Sequence, residues 1–118
     1  MKVVINNCHG GFGLSDEAFE LFLTKKGIEF ESQPRKVWNS KEYYRKGHLD
    51  QNSHYLSQYD LCADRADPDL IAVVEELGRT ADGDCAELSV IEIPDDVEWH
   101  IAEYDGLEHV AENHRTWC

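Results

Sequence analysis

The chain has 118 residues, 42% of them hydrophobic, and carries 24 acidic against 11 basic side chains, for a formal net charge of −13. This length suits one domain with one core. The charge argues against a duplex or long RNA partner, whose binding comes largely from neutralising many phosphates. No run of about 18 apolar residues offers a membrane span. The charge is also uneven: residues 1–50 hold eight Lys/Arg and seven Asp/Glu, whereas residues 51–118 hold three and 17.

Residues 1–6 read as a strand through the β-branched Val3, Val4 and Ile5. No signal-peptide pattern precedes them, so a reducing cytosol is the expected compartment. A loop with three glycines follows, Gly10-Gly11-Phe12-Gly13. Its place between a strand and a helix suits a phosphate loop, but the spacing is not that of a nucleotide fingerprint, and Asp16 and Glu17 already occupy the helix N-terminus. Gly11 and Phe12 are candidate ligand or subunit contacts; otherwise the loop is a tight turn with Phe12 tucked inward.

The first helix is expected near 16–26. Ser15 is a good N-cap, Leu14 and Phe19 are spaced as a hydrophobic staple, Ala18, Phe19, Phe22 and Leu23 form an apolar stripe, and Gly27 suits the C′ position. Residues 28–62 are least legible, with one short strand or helix expected. In 35–46, Arg35, Lys36, Lys41, Arg45 and Lys46 alternate with aromatics. This stretch is either a base-stacking surface for single strands or a solvated element lying on the core. Lys41–Lys46 is expected as a helical turn begun by Asn39 or Ser40 and ended by Gly47.

A second helix is expected at 68–77, with Asp67 as N-cap, Pro68 at N1, Leu70, Val73, Val74 and Leu77 at helical spacing, and Gly78 as the stop. A β-meander then occupies 86–112. Its apolar phase flips after Val90, which signals a bulge or burial on both faces. Pro94-Asp95-Asp96 makes a turn, and Asp105-Gly106 carries a type I′ hairpin signal. The pattern thus predicts a single α+β domain, 1–118, with an antiparallel sheet and two main helices.

Chemical signals are sparse. Cys8, Cys62, Cys85 and Cys118 lack zinc spacing and read as free thiols, and the six histidines form no metal pattern, so neither metal nor cofactor is expected. Glu92, Asp95, Asp96 and Glu98 could pair as carboxylates, but Asp at a turn has its own local reason. Arg65 and Arg115 stand in acidic surroundings, suited either to salt bridges or to bidentate phosphate contacts. Trp99 and Trp117 could serve the core or face a purine.

Several strings resemble one family. They are Val4-Ile5-Asn6 with Cys8-x-Gly10-Gly11-Phe12-Gly13-Leu14-Ser15, Asp67-Pro68-x-Leu70-Ile71, Gly83-x-Cys85-Ala86-x-Leu88, Ile93-Pro94-Asp95-Asp96-Val97-Glu98-Trp99, Glu103-Tyr104-Asp105-Gly106 and His114-Arg115-Thr116-Trp117. In these the chain resembles the Thoeris anti-defence proteins of the first type, small bacteriophage proteins that soak up a host nucleotide signal. The segment 28–58 has no counterpart. The resemblance implies binding, not turnover, of a cyclic ADP-ribose isomer made by TIR-domain enzymes. It also implies a homo-dimer or hexamer with sites at subunit interfaces, acting in the host cell cytoplasm, and in some members a separate site for cyclic oligonucleotides. It points to Arg65 and Arg115 as phosphate contacts and to Trp99 and Asp96 as neighbours of the nucleobase and ribose. Two other classes remain open: an acidic inhibitor docking on a basic host protein, and an enzyme that degrades the signal.

Overall fold

Val3, Val4 and Ile5 are all buried, as an uninterrupted β-branched run demands when both faces of a strand are covered. They belong to β1 (Lys2–Asn6), which pairs antiparallel with β4 (Leu88–Glu92). The computed structural model describes residues 1–35 and 41–112. Among these, six antiparallel strands form three two-stranded sheets around helices, an α+β architecture.

Helix α1 (Asp16–Lys25) is capped as its sequence predicts: the Ser15 hydroxyl oxygen accepts from the Ala18 N–H at 3.2 Å. At its other end Gly27 (φ +73°) donates to the Thr24 carbonyl and Ile28 to the Leu23 carbonyl, a Schellman motif that satisfies two otherwise free carbonyls. Helix α3 (Pro68–Leu77) starts at Asp67, whose carboxylate accepts from the Asp69 N–H at 2.9 Å. The apolar stripes of the two helices meet: Phe19, Phe22 and Leu23 pack with Leu70, Val73 and Val74 in the same buried cluster as Val4. Each such side chain contributes about 1.5–3 kcal/mol by leaving water. Lys26 ties the helix ends together through Asp67 (2.6 Å) and Asp69 (3.1 Å), and both carboxylates hold its ammonium pKa above the ordinary value.

Residues 28–62 depart from expectation. Lys41–Lys46 is not a helical turn. Residues Lys41–Arg45 form β3, paired with β2 (Phe30–Pro34). Packing decides this. The Tyr43 ring meets Phe19 and Phe30 edge-on at 5.1 and 5.6 Å, while Tyr44 meets Tyr55 on the other face at 5.4 Å. Only a strand sends adjacent tyrosines to opposite sides. Asn39 and Ser40, the expected starters of that turn, lie outside the described residues. A short 3₁₀ turn (Asn52–His54) and the one-turn helix α2 (Gln58–Leu61) complete the segment.

The C-terminal strands pair differently from a continuous meander. β4 joins β1, while β5 (Trp99–Tyr104) pairs with β6 (Leu107–Glu112) as a separate hairpin. The phase flip after Val90 has its explanation here: β4 runs in continuous register with β1, and Leu88 through Ile91 are half-buried on both faces. Asp105 and Gly106 both have positive φ, 50° and 87°, as a type I′ turn requires.

Candidate functional site

The glycine loop is a structural junction. Gly106 lies so close to His9 and Gly11 that an added Cβ would overlap the His9 carbonyl, and Gly10 is pressed in the same way against Cys85. Asn6, fully buried, binds these segments together. Its amide nitrogen donates to the Cys8 (2.6 Å) and Gly106 (2.8 Å) carbonyls, and its side-chain oxygen accepts from the Glu87 N–H (2.8 Å). Beyond the junction, Leu14 is held through its backbone by the Gln58 side chain, which accepts its N–H (2.9 Å) and donates to its carbonyl (3.2 Å).

This arrangement leaves a cavity of about 1040 Å³ between the glycine loop, the start of α1, β3 and the 55–65 segment. Phe12, Tyr43, Tyr55 and Tyr59 supply aromatic wall, and Arg35, Lys41 and Arg65 supply its cations. At one end the Arg65 guanidinium lies over the Phe12 ring, 3.6 Å from its centre. It also makes a bidentate ion pair with Glu108, Nη1 to Oε1 at 2.6 Å and Nη2 to Oε2 at 3.0 Å. Glu108 accepts in addition from the Asn6 N–H at 2.9 Å, and both members of the pair are largely buried. Cys62 lines the same wall; burial pushes its thiol up to about 12, so it stays protonated and unreactive at neutral pH.

The other end is built by the segment that the sequence left least legible. The Leu56 N–H donates to the Tyr43 carbonyl, which holds Tyr55 beside β3. The Tyr43 hydroxyl donates to Glu20 (2.9 Å), and burial first, then that carboxylate, holds its pKa well above the ordinary value. Lys41 faces Glu20 at 3.6 Å, and its backbone N–H donates to Asp16. Arg35 donates from Nη2 to the Tyr55 hydroxyl oxygen at 3.0 Å, while its buried Nε–H meets no acceptor among the described residues. A buried donor without a partner costs about 1–3 kcal/mol.

Of the sequence-predicted site residues, the cavity gathers Gly11, Phe12 and Arg65. It does not include Asp96, exposed in the turn before β5, or Trp99, half-buried at the start of that strand. Arg115 and Trp117 lie outside the described residues. Arg35 and Lys41 reach the wall from the 35–46 stretch, whose cations and aromatics left a ligand surface open as one reading without singling them out, whereas Tyr55, beyond that stretch, was missed. Among the described residues no group of three His, Cys, Asp or Glu side chains is placed to hold a metal ion, and no helix is long and apolar enough to cross a membrane. Compared with protein-family models, curated proteins and solved structures, the chain finds no match in any of the three.

Proposed function

We propose that this protein captures a cyclic ADP-ribose-type nucleotide and holds it intact, a sponge that blocks Thoeris immunity in the host cell cytoplasm. The observation that carries the reading is the cavity, which joins aromatic wall from Phe12, Tyr43, Tyr55 and Tyr59 to the cations Arg35, Lys41 and Arg65. Its volume of about 1040 Å³ lies at the upper end of small-molecule sites. Aromatic faces suit a nucleobase and guanidinium groups suit phosphate oxygens. The motif strings that resemble the anti-defence family support the same ligand class. Tyr59, on the cavity wall, is 92% exposed, so a second copy closing over it would enclose the nucleotide further. A homo-dimer or hexamer is therefore part of the proposal, and light scattering that returns a monomer at micromolar concentration would remove that part.

The test of capture is direct. The protein is mixed with the nucleotide, separated from free ligand, heated to unfold, and the released molecule analysed. Intact release supports a sponge. Altered ligand identifies an enzyme, and absence of capture favours docking on a basic host protein.

A further inference from the structure

The three cations on the cavity wall are unequal. Arg65 is matched by Glu108 and Lys41 faces Glu20, whereas Arg35 meets no carboxylate among the described residues. The only partner of Arg35 within that set is the neutral Tyr55 hydroxyl, and its Nε–H is buried without an acceptor. A cavity-wall guanidinium that meets no carboxylate, next to a phenol whose own proton is free to turn, is the donor set that an oxyanion needs. Asp16 and Glu17 line the same cavity, so the field there tolerates one added negative charge better than two.

We infer that Arg35 and Tyr55 form an oxyanion subsite that takes a singly charged phosphodiester in preference to a doubly charged terminal phosphate. This rests on reading the cavity as a nucleotide site and adds which phosphate chemistry it selects and through which residues. The guanidinium supplies the charge and the fork. The Tyr55 hydroxyl, accepting from Arg35, donates its proton to a second phosphate oxygen. An internal diester brings one charge to one unmatched guanidinium. A terminal phosphate brings a second charge that Asp16 and Glu17 oppose.

Calorimetric titration with adenosine 3′,5′-cyclic monophosphate, AMP and adenosine tests this at constant base and sugar. Wild type is expected to bind the cyclic monophosphate at least about fivefold more tightly than AMP, from one uncompensated charge at partly screened distance. Arg35→Gln should weaken the cyclic monophosphate about tenfold or more, Arg35→Lys should recover part of this, and Tyr55→Phe should lose less than Arg35→Gln. Melting curves establish that each variant is folded. Equal affinity in wild type and Arg35→Gln overturns the subsite, as does tighter binding of AMP. The capture assay, run on wild type and Arg35→Gln, keeps the two readings apart. If both hold the cyclic ADP-ribose-type nucleotide equally, the sponge stands and the subsite falls. If wild type releases none but binds the cyclic monophosphate through Arg35, the sponge falls and the subsite stands.

Discussion

Two arginines on one cavity wall have opposite surroundings. Arg65 is stacked on Phe12 and forked onto Glu108, which also caps the Asn6 N–H. Arg35 has a neutral tyrosine and no carboxylate partner among the described residues. The first is committed to joining β1, β6 and the glycine loop, and the second is available. Residue type and a place on the cavity are therefore not enough to assign a ligand contact; the partner inventory decides how much charge remains to offer.

The comparison breaks most clearly at Glu108. Glu108→Ala strands a largely buried guanidinium and the Asn6 N–H, and should cost about 3–5 kcal/mol in urea unfolding. Arg65→Met combined with Glu108→Gln should restore much of that, because the amide oxygen still accepts from Asn6 and no charge is left buried. A loss below about 1 kcal/mol for Glu108→Ala, the range of an exposed pair, would show that Arg65 is as uncommitted as Arg35.

Gly106→Ala probes the junction that fixes the Arg65 end. Its φ of 87° is strained for alanine and the new methyl would overlap the His9 carbonyl. A loss of roughly 2 kcal/mol or more in chemical denaturation is expected. A melting temperature equal to wild type would mean that the loop yields freely.

Cys62 reports on closure of the same wall. Its thiol is raised from about 8.5 unfolded to about 12 folded, chiefly by burial, with Arg65 opposing the rise. The neutral thiol is therefore favoured by the fold. That contribution is fully present below about pH 8.5 and is lost as pH climbs towards 12. At pH 8 iodoacetamide should label the exposed Cys85 well before Cys62, read by peptide mass spectrometry. Equal labelling rates in the folded protein would show that the Arg65 end opens.

The smallest effect belongs to Arg35. Arg35→Gln removes a buried donor without a partner, a relief of about 1–3 kcal/mol, and loses one bond to Tyr55, a cost of about 0.5–1.5 kcal/mol, so stability should hold or rise slightly. A fall as large as that of Glu108→Ala would make Arg35 structural and erase the contrast.

What the sequence determined by itself is local. Ser15, Gly27, Asp67, Pro68 and Gly78 bound the two main helices, and Asp105-Gly106 marks the hairpin, because caps and tight turns satisfy backbone groups within a few residues. The α+β class follows from those elements and the strand patterns. The tertiary structure alone decided which strands pair, since β4 chooses β1 across more than eighty residues for burial of both faces. It also turned Lys41–Arg45 into a strand, because Tyr43 and Tyr44 find aromatic partners on opposite sides. Of the candidate site, Gly11, Phe12 and Arg65 were legible, Arg35 only as one cation of the 35–46 stretch, and Tyr55 not at all. Whether a guanidinium is free or spent depends on carboxylates brought to it from distant positions, as Glu108 is brought to Arg65, and no local pattern encodes that distance.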